Sequence, residues 1–321
     1  MSRPPRRPQR KLDGILLLDK PRGLSSNTAL QKARRLLDAD KAGHGGTLDP
    51  MADGLLPLMF GEACKLAESA LEGDKAYDAT VRLGQVTTTD DTEGEIVSTA
   101  PVAFTDADLE AVLARFRGRI VQVPPVYSAL KVAGKALYRH AREGSPLQPA
   151  PREVDIHQLQ LLARRDGEAP ELDIRVACGK GTYIRSLARD IGAALGCGAH
   201  LCALRRTVVG RFAVDSAIDL DALAAMAPDQ RRSRLVDLEA LVADWASVTL
   251  EETAASRFRQ GQAVTIDSGA LRLPDRQTAS PGAMTAARIA TFCGGRLIGL
   301  AHCSFATQTT CALSPTRVIV P

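Results

Sequence analysis

The chain has 321 residues, 45 % of them hydrophobic and 24 % charged, with a formal net charge of +4. That is enough apolar material for one large domain and a small one. No run of eighteen apolar residues occurs and no charged–apolar–small-residue signal opens the chain, so neither a membrane helix nor a secretory route is expected. Seven cysteines, an odd number in a long chain, fit a reducing compartment better than a disulfide framework, and a soluble cytoplasmic protein is the expectation.

The charge is unevenly spread. Residues 1–35 carry ten Lys/Arg against two Asp/Glu, so the remainder is net acidic. A basic arm over residues 1–11 suits contact with phosphates, or is a solvated tail without a specific role.

In chain order, Ile15–Leu18 is a short apolar run that reads as a buried strand. Ser25 or Ser26 caps a helix in which Leu30, Ala33 and Leu37 share a face. Next comes Gly43-His44-Gly45-Gly46-Thr47-Leu48-Asp49-Pro50, a glycine-rich turn holding one histidine and one carboxylate. Gly45 and Gly46 allow positive φ and the close approach of another molecule, and Pro50 biases Asp49 away from the α region. A carboxylate fixed this way can act as nucleophile or general base without a metal; the same pattern is also ordinary Asx-turn chemistry.

Tyr77, Ala79, Val81 and Leu83 alternate with polar residues in a half-buried strand. Thr105 and Asp108 form a capping box for a helix with Leu109, Val112, Leu113 and Phe116 on one side, closed by Gly118. Residues 121–154 are rich in proline and glycine with weak periodicity. Lys131, Lys135, Arg139, His140 and Arg142 interleave there with Tyr127 and Tyr138, either to grip RNA or to pack the loop down. Leu172, Ile174 and Val176 mark another strand, which runs through Gly179-Lys180-Gly181-Thr182 into a helix bearing Ile184, Leu187, Ala188, Ile191 and Leu195. Helical patterns at Leu220–Met226 and Arg234–Leu241 precede a boundary near residue 245. Strand-like runs follow at 263–266, 287–292, 297–301 and 317–320, interrupted by a polar loop at 275–282. Without a strict βαβ repeat, a doubly wound parallel sheet is not expected.

Several of these segments together resemble the pseudouridine synthases that modify the TΨC arm of tRNA at position 55. They are Gly14–Pro21 with Gly23-Leu24-Ser25-Ser26, the Gly43–Pro50 turn, Lys75-Ala76-Tyr77, Pro124–Lys131, Lys180–Arg185 with Leu187–Asp190, and Gly198–Thr207. They run in family order over some two hundred residues, about 13 to 212. The resemblance implies an α+β fold: a mixed, largely antiparallel sheet with flanking helices over residues 12–244, with residues 121–154 as an RNA-binding insertion. A small β-rich, PUA-like RNA-binding domain over 245–321 would follow. Its implied reaction turns uridine into pseudouridine in the TΨC loop, with tRNA as partner, no obligatory protein partner and no cofactor or metal. Asp49 is the implied nucleophile, Arg185 its ion-pair partner and Tyr77 the stacking tyrosine with a second part in proton transfer. Tyr183 is implied to contact the base, His44 to support the flipped nucleotide and Leu204 to wall the pocket, while Lys20 and Lys131 belong to family motifs on the substrate side. A guide-dependent catalytic subunit and a non-catalytic tRNA chaperone are the competing readings.

Three positions depart from the family pattern: Gly45, Asp53 and Cys64 stand where threonine, or at 53 threonine or serine, is usual. Asp53 is expected to raise the pKa of Asp49 unless solvent or Lys65 screens it. The glycine four residues before Gly179-Lys180 that a phosphate loop needs is missing, and Cys197, His200 and Cys202 lack a second pair at zinc spacing, so neither site is expected.

Overall fold

In a computed structural model the described residues are 11–320, apart from 68–71, 129, 133, 138–139, 141–142, 144, 146, 274–287, 306 and 308. Most of the basic arm, Tyr138, Arg139, Arg142 and the 275–282 loop therefore lie outside the described residues.

The first strand, β1 (Gly14–Lys20), is followed by helix α1 (Ser26–Leu36), whose N-cap is Ser25: its side chain accepts from Thr28 N. Strands β2 (Ala42–His44), β3 (Asp53–Phe60) and β4 (Lys75–Leu83) come next. After the small hairpin β5 (Gln85–Thr87) and β6 (Ile96–Thr99), helix α2 (Asp106–Arg115) starts on the expected Thr105–Asp108 capping box. Strand β7 (Gly118–Gln122), a two-residue-arm hairpin of β8 (Lys131–Val132) and β9 (Lys135–Ala136), and the long pair β10 (Arg152–Arg165) and β11 (Glu171–Cys178) follow. Helix α3 (Ile184–Ala194) leads to β12 (Ala199–Val209), β13 (Phe212–Ala213), helix α4 (Leu220–Ala225) and β14 (Leu235–Val236).

Among the described residues ten strands make one sheet in the order β14-β1-β3-β12-β4-β11-β10-β7, with β2 on β3 and β13 on β12. Its pairs are antiparallel except β3 with β12, where Arg205 faces Asp53 and Arg206 faces Gly54. The sheet is thus mixed and largely antiparallel, as the sequence led one to expect. Gly54, at φ +100°, makes the parallel junction fit: a Cβ there would lie 2.3 Å from the Arg206 carbonyl oxygen.

The apolar run of β1 is explained by burial on both faces. Leu16 and Leu18 join the main core with Leu58, Val81, Ile174 and Leu187, whereas Ile15 and Leu17 pack on the reverse side with Leu55, Met59 and Val209. The expected helix at Arg234–Leu241 is not formed. Leu235 and Val236 instead pair antiparallel with Leu16 and Ile15, satisfying the open edge of β1, and only Leu238–Leu241 coil into a 3₁₀ turn.

The C-terminal segment is a five-stranded sheet in the order β15-β17-β18-β19-β16: β15 (Ser247–Thr249), β16 (Val264–Asp267), β17 (Arg288–Cys293), β18 (Arg296–Phe305) and β19 (Thr310–Val318). It matches the expected β-rich module, with a last strand that begins earlier than the run at 317–320 suggested. Helix α5 (Glu252–Arg259), which the sequence analysis does not predict, covers one face through Ala255 and Phe258. Leu66 and Val242 pack with Ala290, Leu297, Leu300 and Ile319, so a shared apolar cluster seats this sheet against the larger one.

Candidate active site

The turn that carries Asp49 is held by backbone bonds rather than by regular structure. Gly45 N donates to Pro57 O, Ala52 N to Asp49 O, and Gly23 N to Pro50 O. Gly46 adopts φ +92°, a conformation that glycine enters without strain. The Ser26 hydroxyl, buried at the start of α1, accepts from Leu48 N at 2.8 Å and donates to Leu48 O at 2.9 Å. Helix α1 therefore fixes the residue beside Asp49 from both sides of its peptide.

Arg185 enters from the first turn of α3 and is 5 % exposed. Its Nη2 lies 3.0 Å from Asp49 Oδ2, and its Nη1 lies 3.3 Å from Asp91 Oδ2. The same guanidinium donates to Thr89 O and Tyr127 O. One cation thus stands between two carboxylates, and each of its terminal nitrogens also donates to a backbone carbonyl. Asp91 is itself oriented by Thr89 Oγ1 and Glu93 N. Nothing local marks Asp91 in the sequence: the run Thr87-Thr88-Thr89-Asp90-Asp91 reads as a polar turn until folding brings it to Arg185.

Asp49 keeps 35 % of its side chain accessible, but that opening faces a cavity of about 450 Å³. Burial pushes its carboxyl above the ordinary range, Arg185 opposes the rise, and Asp91 adds to it. Asp53 turns elsewhere. It lies 2.8 Å from Arg205 Nη1 and 3.6 Å from Arg22 Nε, while Lys65 pairs with Glu62. The expected screen by Lys65 is corrected: two arginines neutralise Asp53, and the carboxylate that disturbs Asp49 is Asp91.

Tyr77 is buried on β4 and faces the same cavity. Its cross-strand partner on β12 is Arg206, which is 2 % exposed and donates to Leu55 O at 2.7 Å and Gly46 O at 3.2 Å. Burial raises the pKa of the Tyr77 phenol, against a hydrogen bond and field from Arg206. In the sequence Arg206 is one residue of a family-like run; its position opposite Tyr77 follows from the β4–β12 register, which no local pattern announces.

Tyr183 is the N-cap residue of α3. Gln122 clamps it: Gln122 Oε1 accepts from Tyr183 N and Gln122 Nε2 donates to Tyr183 O. The guanidinium of Arg152 lies 4.9 Å from the Tyr183 ring centroid and donates to Gly181 O. His44 and Leu204 also line the cavity, and burial together with Arg206 lowers the His44 pKa, favouring the neutral ring.

Lys20 does not reach the cavity wall. It is fully buried and donates to Pro21 O at 2.9 Å and Leu24 O at 2.8 Å, with its ammonium pushed down to about 8 by burial. Lys131 opens β8, and its side chain lies outside the described residues. Among the described residues no group of three or more His, Cys, Asp or Glu has metal-holding geometry.

The site therefore offers one partly open carboxylate in an ion pair, two tyrosines, and apolar and polar walls around a nucleotide-sized space. That suits chemistry at an anomeric carbon, where a carboxylate stabilises or attacks developing positive charge.

Comparison with known proteins agrees. Residues 34–184 match the N-terminal domain described as TruB family pseudouridylate synthase, and residues 185–252 match the tRNA pseudouridylate synthase B C-terminal domain. Curated relatives named tRNA pseudouridine synthase B include one from Burkholderia lata, 49 % identical over 99 % of this chain and 94 % of its own length. Another, from Cupriavidus pinatubonensis, is 54 % identical over 81 % of this chain and 83 % of its own. A solved Cbf5-Nop10-Gar1 complex contains a chain of the same fold, with TM-score 0.73 and 24 % identity over 96 % of this chain and 85 % of that one. The ordered motifs, the Asp49-centred cavity and these near full-length matches lead to one assignment: the chain belongs to the TruB family of pseudouridylate synthases, isomerases that convert uridine to pseudouridine.

Proposed function

We propose that the substrate is the uridine at position 55 in the TΨC loop of tRNA, modified by this chain alone in the cytoplasm. The reading is carried by one observation: Asp49 opens onto the cavity while Arg185 holds it at 3.0 Å. The target nucleotide is extruded from its loop, and Tyr77 stacks on the base. Asp49 acts in its ionised form on the ribose, the C1′–N1 bond breaks, the base turns, and C1′ joins C5. A proton leaves C5 and one is taken up at N1, so the reaction is an isomerisation without a cofactor. Arg185 keeps Asp49 charged and aimed. Tyr183 and Leu204 contact the base, His44 supports the displaced nucleotide, and Lys131 meets the RNA backbone. Lys20 acts at one remove, holding the turn after β1 and adding positive potential at Asp49. Residues 12–244 form the catalytic domain with its RNA-gripping insertion at 121–154. Residues 245–321 form a PUA-like RNA-binding domain, and the basic arm adds phosphate contacts.

The test uses unmodified tRNA transcript tritiated at uridine C5, the purified chain and Asp49→Asn. Tritium release by the parent alone, with one modified position in the TΨC loop, is expected. Binding without release by either protein would leave a chaperone or a subunit that needs partners.

A further inference from the structure

The segment Val123–Ser128 is fastened to the start of α3 at several points. Ser186 Oγ and Arg189 Nη2 both donate to Val123 O, and Arg185 Nη2 donates to Tyr127 O at 2.8 Å. That same Nη2 is the atom 3.0 Å from Asp49 Oδ2. The peptide leading into Ser128 is therefore fixed by the nitrogen that holds the reactive carboxylate.

Ser128 is 4 % exposed, it lines the Asp49 cavity, and its hydroxyl has no hydrogen-bond partner. His44 Nδ1 and Arg152 Nε are also unpartnered and belong to cavity-lining residues, but those residues are only half-buried. A buried hydroxyl left unpaired is unfavourable in the free protein.

We propose that Ser128 Oγ donates a hydrogen bond to one carbonyl of the substrate uracil before the detached base turns and to the other carbonyl after it. This rests on the reading under Proposed function. Uridine becomes pseudouridine by a half-turn of the base about its N3–C6 axis. The half-turn exchanges N1 with C5 and, in the same motion, C4=O with C2=O. A hydroxyl aimed at one carbonyl of the bound uridine therefore meets the other carbonyl afterwards. When C1′–N1 breaks, the electron pair passes to the base and spreads onto its carbonyl oxygens. The donor is then worth more than in the ground state, so it acts on turnover more than on binding. Ser128 retains and stabilises the departing base.

The experiment compares the parent, Ser128→Ala and Ser128→Cys in single-turnover tritium release from C5-tritiated tRNA transcript, with KM and thermal midpoint measured beside it. Both variants should turn over about tenfold more slowly, the equivalent of about 1.4 kcal/mol, because alanine removes the donor and a thiol donates weakly. KM should stay within about twofold, and the midpoint of Ser128→Ala should be unchanged or higher because no protein bond is lost. Turnover of Ser128→Ala within about twofold of the parent would overturn the inference alone. So would parent-like turnover in Ser128→Cys, which assigns the effect to volume, or a slow variant with a lowered midpoint, which assigns the hydroxyl to the fold. No release by the parent would sink the enzyme reading and this inference with it.

Discussion

Ser26 and Leu48, far apart in sequence, share two hydrogen bonds through one hydroxyl, at 2.8 Å to the Leu48 N–H and 2.9 Å to its carbonyl. The serine thereby ties the first residue of α1 to the peptide just before Asp49. By sequence Ser25 and Ser26 are alternative caps. The structure divides the labour: Ser25 caps the helix and Ser26 holds the turn that carries Asp49. Ser26→Ala leaves both Leu48 groups unpaired in a buried setting, so it should destabilise the protein by about 1–3 kcal/mol and lower turnover as well. Denaturant titration alongside tritium release checks both, and an unaltered protein would show that the turn holds itself.

Asp91 holds the far side of the Arg185 guanidinium, at 3.3 Å. Asp91→Asn removes one of its two carboxylate partners and lets it move, which should lower turnover by about tenfold to a hundredfold. The pH dependence should move too. Asp91 helps to raise the Asp49 pKa, so its neutralisation carries the acid limb of kcat/KM to lower pH. Asp53→Thr serves as the control: with Arg205 and Arg22 around Asp53, it should keep turnover within a small factor and leave the acid limb in place.

Asp49→Asn should abolish product, by about a thousandfold or more, without weakening the fold. Burial raises the folded-state pKa of Asp49 above its unfolded value, so the ionised group costs stability above that pKa and the cost fades as pH falls through it. The asparagine variant should match or exceed the parent in thermal midpoint at neutral pH, with the difference shrinking in acid. Arg185 keeps Asp91, so no bare buried cation results. A clear drop in midpoint at neutral pH would contradict this.

Lys20 gives a second pH signature of opposite origin. Its ammonium is pushed down to about 8 from an ordinary 10.5, so between those values the unfolded chain binds more protons than the folded one. The desolvation cost is fully present below pH 8 and is relieved as pH rises towards 10.5. The parent should therefore gain stability relative to Lys20→Met across that window, measured by chemical denaturation at stepped pH. A flat difference would mean the lysine keeps its charge in the fold.

The sequence alone determined what repeats or abuts locally. Alternation marked β4 and β11, the Thr105–Asp108 box marked the start of α2, and glycines flanking a histidine and an aspartate before proline marked the turn that carries Asp49. Each depends on neighbours a few residues away, so a one-dimensional pattern carries it. Tertiary structure decided the rest, because the deciding partner is remote. Leu235 and Val236 became a strand only because β1 had an open edge. Asp91, not Asp53, became the second carboxylate at the site because Arg185 reaches back 94 positions to meet it. Arg206 came to stand opposite Tyr77 through the β4–β12 register, and Lys20 turned its ammonium to Pro21 and Leu24 rather than to the cavity. A charge buried in a low-dielectric interior must find its partner wherever the fold supplies one, and that choice is made in space rather than along the chain.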